Sequence, residues 1–245
     1  MFRAQPGENQ AAIPAPSRWG SRPISVGRMH PIERLRYVAR AGWAPPAVLA
    51  AEAAWALGDL ALHEESAVLP ACRRLLDRHP GCGPLWWVAA RILTAGDAAE
   101  EAERCADALE SDPTSDLLRE ELGWDRRAIR HGGIGDVASA DVVVVEIDAI
   151  GPGGLVLDAD DMGMIEAARA VEVPVWVEAG VGRVMPPKLW DALVRRVEST
   201  NVSRAGSVLG LEGIDSVAGP AGVQSVPVAL ASTDCPEPGA LLARW

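Results

Sequence analysis

Lysine is almost absent from this chain of 245 residues, in which Lys188 is the only one. Arginine carries nearly all of the positive charge, and the formal net charge at pH 7 is −11. An acidic chain has no general attraction for nucleic-acid phosphates, so we expect no DNA partner and no non-specific binding of RNA. A local arginine patch remains compatible with this composition.

Long apolar segments and metal-binding motifs are lacking as well. No run of about 18 apolar residues is present, so we expect no membrane span. Residues 1 to 20 are polar and rich in proline, without the apolar segment of a secretory signal. The four cysteines form no C-x-x-C pair and lie at no zinc-finger spacing from a histidine. We therefore expect a cytoplasmic protein with reduced thiols, no metal site and no cofactor.

The first half of the chain carries a helical pattern after a polar start. Residues 1–27 contain four prolines and no hydrophobic period, which predicts a flexible tail. Residues 28–130 then form a predicted helical domain. Its helices are expected from Pro31 to a stop at Gly42, and over residues 47–62, 66–77, 84–93 and 97–122, the last interrupted at Asp112-Pro113.

The pattern changes in the second half, residues 131–245, to that of an α/β domain. Residues 142–147 are a β-branched run typical of a strand buried on both faces. A loop over 148–154, a helix over 160–171 and a strand over 173–177 follow, which predicts a right-handed parallel βαβ unit. A helix over 186–197 and short strands over 207–211 and 226–230 complete the prediction. The expected fold class is α/β, a helical N-terminal domain plus a Rossmann-like, mostly parallel sheet.

Three motifs have a structural interpretation that we favour over a functional one. The G-x-G-x-x-A match at 133–138 precedes a strand instead of following one, so it predicts an ordinary turn. Asp158, Asp160 and Asp161 resemble the start of a calcium loop, but the pattern fails at its twelfth position, and capping of a helix is favoured. The nearby pair of His79 and Cys82 shows no third catalytic partner, so a buried structural cysteine is favoured there.

Asp148 is the strongest candidate for a functional residue. It follows a predicted buried strand and so lies at the carboxyl edge of the sheet, where open α/β sheets bind ligands. The glycine-containing loop over 151–154 permits close approach of the backbone to a ligand. An ordinary turn aspartate is an equally good explanation of this local pattern alone.

Several segments together resemble one protein family. The run 145–150, Gly153-Gly154, Gly163 and the run 173–177 resemble G-A-D-x-I, the glycine turn and V-P-x-x-V of that family's core. Upstream, the segments 40–47 and 79–87 resemble its R-G-A-P-A-I and R-P-T-A-V-N-L-x-W motifs, in the same order. The family contains methylthioribose-1-phosphate isomerase, ribose-1,5-bisphosphate isomerase and the alpha, beta and delta subunits of initiation factor 2B.

The resemblance implies a fold of the NagB/RpiA/CoA-transferase-like type and a homodimer. It implies a pocket between the two domains for a small phosphorylated metabolite or a nucleotide. Asp148 matches the aspartate that works with a cysteine as acid and base in the isomerases. Arg40 approximately matches a phosphate-contacting arginine, and the implied ligand-binding set is Arg40, His79, Gly153, Gly154 and Gly163.

The departures from the family indicate lost catalysis. The span 94–141 lacks the family's cysteine strand, and Cys105 falls in a predicted acidic helix. His79 replaces an arginine, and aspartates replace the asparagine and lysine of the N-K-x-G-T turn, which disfavours phosphate there. We expect a divergent, non-catalytic member that binds a phosphorylated metabolite, a nucleotide or a protein partner. The alternative is an active sugar-phosphate aldose–ketose isomerase in which Cys82 or His79 supplies the second group.

Overall fold

The computed structural model describes residues 30–40, 44–130, 134–200 and 206–243. The predicted tail, residues 1–27, lies outside this part of the chain. The first half folds as helices, as predicted: α1 (Pro31–Arg40), α2 (Pro46–His63), α3 (Val68–Arg78), α4 (Gly83–Thr94), α5 (Ala98–Glu110) and α6 (Thr114–Leu122).

The alanine-rich helix α2 lies at the centre of the helical half. It begins with a proline in its first turn, and nine of its 18 residues are buried. A Cβ atom added at Gly58 would lie only 3.0 Å from the Cβ of Ala102 in α5. The small residues of α2 therefore allow α5 to approach closely. Asp97 caps α5 by accepting hydrogen bonds from the N–H groups of Ala99 and Glu100, each at 3.0 Å.

The second half contains the predicted parallel sheet. Its five strands are β1 (Ala128–Arg130), β2 (Val142–Glu146), β5 (Val175–Glu178), β7 (Ser216–Gly219) and β8 (Gly222–Gln224), adjacent in that order. The first four strands are mutually parallel, and β8 returns antiparallel to β7. The four valines of β2 are all buried, because helices cover both faces of the sheet. The predicted α/β fold class and the parallel pairing of β2 with β5 are confirmed.

A second, smaller sheet corrects the loop that was predicted over 148–154. The chain forms a hairpin there, from β3 (Ala149–Gly151) and β4 (Gly154–Leu157), and β6 (Ser207–Leu209) pairs antiparallel with β4. The helices α7 (Ala159–Ala170) and α8 (Pro187–Ser199) were predicted within two residues of their observed ends. The predicted strand over 226–230 is instead the helix α9 (Val226–Ala231), which has a proline in its first turn, and a short helix α10 (Gly239–Leu242) follows.

Elements from both sides of the predicted division at 130/131 pack against one another. Strand β1 pairs with β2, and α6 packs against β5, β7 and β8, so the sheet includes elements that precede that division. The core of the helical half in turn includes residues of β3, β4 and α8. None of the helices in the described part of the chain is both long and apolar enough to span a membrane.

Candidate functional site

Asp148 lies where the two halves and both sheets meet. It is the second residue after β2, and its N–H donates to the carbonyl oxygen of Val156 in β4 at 2.8 Å. Its own carbonyl oxygen accepts from the N–H of Gly83, the first residue of α4, at 3.1 Å. The backbone of Asp148 is therefore fixed by the hairpin on one side and by the helical half on the other.

The carboxylate of Asp148 is poorly solvated. The side chain is half-buried and accepts no hydrogen bond from the described residues. Burial raises the pKa of Asp148 from 3.8 to about 6; the nearby Arg183 opposes this rise, whereas the carboxylates of Asp158, Glu146 and Asp161 add to it. A carboxyl group with a strongly raised pKa in a junction between domains is typical of a functional site.

Arg183 holds the segment that carries Asp148. Its buried guanidinium donates to the carbonyl oxygen of Ile147, and its Nη2 donates to the carboxylate of Glu146 at 2.5 Å. Its carbonyl oxygen also accepts from the N–H of Ile150 at 2.8 Å. Arg183 thus contacts the chain on both sides of Asp148.

The sequence interpretation missed Arg183. The available signal was the run Gly180-Val181-Gly182-Arg183, a glycine-rich turn shortly after a strand parallel to β2. Because parallel strands end at the same edge of a sheet, such a turn brings its residues close to Asp148.

Cys82 is the cysteine that we consider as a partner of Asp148, because the two side chains interact electrostatically. It is buried immediately before α4, and its Sγ lies 3.8 Å from the carbonyl oxygen of Pro46. The pKa of Cys82 is raised to about 12, mainly by burial; a backbone hydrogen bond at Leu85 opposes the rise, the charge of Asp148 adds to it, and that of Arg183 opposes it. The side chain is therefore a neutral thiol at pH 7 within electrostatic range of Asp148. The four cysteines of the chain form no disulfide with one another, and Cys105 lies in a helix, as predicted.

His79 and Arg40 are the two predicted polar ligands of the site. His79 follows α3 directly, and its carbonyl oxygen accepts from the N–H of Cys82 at 3.1 Å. The binding of a ligand by its side chain stays a prediction. Arg40 is exposed at the last position of α1, where it forms no ion pair with the described residues. Residues 41–43 of the first family-like segment lie outside the described part. The approach of Arg40 to Asp148 stays a prediction.

The hairpin glycines have a packing explanation. A Cβ atom at Gly151 would clash with the indole of Trp190 in α8, and one at Gly153 would lie 2.8 Å from its Nε1. Gly154 has a φ of +152° and faces the carbonyl oxygen of Leu209. Close contact with protein atoms therefore accounts for their small size, and binding of a ligand by Gly153 and Gly154 stays a prediction.

The capping interpretation of the acidic segment is confirmed. The carboxylate of Asp158 accepts from the N–H of Asp161 at 2.8 Å and so caps α7. Gly163 lies half-buried in that helix, and its predicted role as a ligand residue is open. Within the described ranges, no group of three or more acidic, cysteine or histidine side chains is arranged to hold a metal ion. The turn predicted at the G-x-G-x-x-A match is a 3-10 helix (Ile134–Ser139), with Gly133 outside the described residues.

These features define a class: an α/β protein with a helical N-terminal half and a polar site at the carboxyl edge of its central strand. No protein-family profile and no curated protein match the sequence. Several solved structures, in contrast, are similar to this chain in their fold. The chain is similar to a subunit in the tetrameric complex of the beta and delta subunits of initiation factor 2B from C. thermophilum, with a TM-score of 0.68 and 11% identity, covering 89% of this chain and 98% of that one.

Two further structures give the same result. The beta subunit of initiation factor 2B from Chaetomium thermophilum matches with a TM-score of 0.60 and 12% identity, over 86% of this chain and 91% of that one. Initiation factor 2B from Pyrococcus horikoshii OT3 matches with a TM-score of 0.60 and 13% identity, over 83% and 99%. The resemblance read from the sequence is thus confirmed at the level of the fold.

Proposed function

We propose that this protein is a divergent relative of the initiation factor 2B and sugar-phosphate isomerase family that binds a small phosphorylated metabolite or nucleotide at Asp148 without isomerising it. The observation that carries the proposal is the half-buried carboxylate of Asp148, which lacks a hydrogen-bond donor among the described residues. A desolvated carboxylate without a donor is costly to fold, and a ligand hydroxyl would supply the missing donor.

The surroundings of Asp148 support binding more than catalysis. Moving a proton between adjacent carbons requires a second group that can exchange a proton near neutral pH. Cys82 has a pKa of about 12, which is far from that range. The first turn of α7 is also a poor phosphate site, because Asp158 already accepts from its Asp161 N–H. A phosphate group would therefore lie on the side of His79 and Arg40.

Binding and turnover are tested with ribose 1,5-bisphosphate and methylthioribose 1-phosphate. We expect both assays to show turnover below about 1 s⁻¹, the low end of ordinary enzymes. In native mass spectrometry with a metabolite pool, we expect a bound ligand whose occupancy falls in Asp148→Asn. Asp125→Asn, an exposed aspartate that precedes the amino end of β1 and so lies opposite the carboxyl edge of the sheet, is the matched control. A ligand retained equally by both variants would contradict the proposed site.

The second candidate function is an active isomerase in which Cys82 is the partner of Asp148. The specific observation in its favour is the electrostatic interaction between the two groups, one a carboxylate and the other a neutral thiol at pH 7. Turnover that is lost in both Asp148→Asn and Cys82→Ala would establish this function. Cys72→Ala, which removes another buried thiol in α3, should leave such turnover unchanged.

We infer in addition that the chain forms a homodimer through its α/β half and acts in the cytoplasm. The first of the structures described above is a tetrameric complex, which favours assembly for this fold. Strand β6 is an edge of the small sheet among the described residues and exposes Val208, so it offers a surface for a partner. Sedimentation at micromolar concentration tests the assembly, and a monomer would contradict it.

A further inference from the structure

A cleft opens between the two halves, over the carboxyl ends of β5 and β7. It has a volume of about 320 Å³, at the small end of the range for ligand sites. Helices α4 and α5 form one wall, and the turns after β5 and β7 with the segment between α9 and α10 form the other. Its characteristic residues are Trp87, Arg91, Arg104, Gly182, Thr233 and Asp234. Asp148 is not part of this lining.

The cleft already holds a carboxylate, which belongs to the chain itself. The indole Nε1 of Trp87 donates to Oδ1 of Asp234 at 2.9 Å, and Nη1 of Arg91 donates to Oδ2 at 2.5 Å. Each carboxylate oxygen thus has its own donor. Because both donors lie on α4, one turn apart, their spacing is fixed by the helix.

The donors are held in place independently of Asp234. Trp87 is buried, and the guanidinium carbon of Arg91 lies 5.1 Å from the centre of its ring. The Nε of Arg91 also donates to the carboxylate of Glu101 at 2.5 Å. Asp234, in contrast, lies in an irregular segment, and its side chain is 63% exposed. Asp234 can therefore leave at lower cost than the two donors can move.

We propose that this cleft binds a small organic carboxylate, whose carboxylate group replaces that of Asp234 between Trp87 and Arg91. With Asp234 displaced, the charges of Arg91 and Arg104 are balanced by Glu100 and Glu101, with which they form ion pairs, so a ligand anion only takes the place of the charge of Asp234. The ligand then restores the negative charge that Asp234 contributes. Ser232, Thr233 and the turn at Gly182 line the rest of the cleft, and the two hydroxyl groups donate to the carbonyl oxygens of Ala229 and Val184.

The proposal predicts that Asp234 competes with added carboxylates. Succinate is titrated into ¹⁵N-labelled protein, and the indole N–H signal of Trp87 is followed after its assignment by Trp87→Phe. We expect a saturable shift of that signal, with a midpoint about tenfold lower in Asp234→Ala, because a tethered competitor at millimolar effective concentration has been removed. Inorganic phosphate is titrated in parallel to separate carboxylate recognition from general anion binding.

Two control variants make the result interpretable. Glu237→Ala removes a neighbouring acid that contacts Lys188 instead of the cleft, and should leave the midpoint unchanged. Asp148→Asn should also leave it unchanged, which separates this site from the one proposed above. The absence of a saturable shift, equal midpoints in wild type and Asp234→Ala, or a response to phosphate alone would each overturn the proposal.

Discussion

Replacing Asp148 by asparagine should stabilise the fold above about pH 6. The pKa of Asp148 is raised from 3.8 to about 6 in the folded protein, so the folded state holds its proton more tightly than the unfolded state. Stability therefore falls as the pH rises from about 3.8 to 6, and the loss is complete above that range. At about 1.36 kcal/mol per pKa unit, the full loss is at most about 3 kcal/mol. Asparagine cannot ionise and has a similar shape, so it avoids this loss.

The assay is urea-induced unfolding of wild type and Asp148→Asn at pH 7.5 and pH 4.5. We expect the variant to gain about 1–3 kcal/mol at pH 7.5, and less than half of that gain to remain at pH 4.5. Asp125→Asn, at an exposed position, should gain nothing at either pH. If Asp148→Asn were no more stable than wild type at pH 7.5, or equally stabilised at both pH values, burial would not be the cause of the raised pKa.

Two further substitutions test the packing around the site. Arg183→Met should cost about 2–4 kcal/mol, because it leaves the acceptors at the end of β2 without their donor. It should also raise the pKa of Asp148 further in an NMR titration, and an unchanged pKa would show that Arg183 does not act on it. Gly151→Ala should cost about 1–3 kcal/mol in urea unfolding because of its clash with Trp190. Gly239→Ala, with open space around it, should be close to neutral; similar losses for both alanines would contradict the clash.

The central strand of the fold was predictable because its residue types are typical of a buried strand. The β-branched run at 142–147 is typical of a strand covered on both faces, and its four valines are buried in β2. Strands β1 and β8 have three residues each, and partners define them more than their own sequence does. The segment 226–230 has the composition of a strand, but it contains a proline that suits the first turn of a helix. No strand of the described residues pairs with this segment, so a helix can form there.

The candidate site was predictable only where it depended on local sequence. Asp148 is the second residue after β2, so its place at the sheet edge could be inferred from the strand alone. The role of Arg183 depends on a turn that folds back over residues 146–150, more than thirty positions earlier. The hairpin glycines were interpreted as places for a ligand, but the atoms that come close to Gly151 and Gly153 belong to Trp190. The positions of Arg183 and of the hairpin glycines both depend on contacts between segments that are distant in the sequence.

The shared core of the two halves has a consequence for how the molecule comes apart. Residues of the hairpin and of α8, among them Ala149, Val156, Leu189 and Trp190, are buried in one cluster with the helices of the first half. Each half buries part of its apolar surface against the other half. Cutting the chain near residue 130 would therefore leave each fragment with an uncovered apolar surface. Denaturation should therefore proceed as one cooperative transition, and the slowest-exchanging amide protons of α4 and β4 should share a single opening free energy. The change from a helical half to an α/β half is therefore not a boundary between two parts that unfold independently.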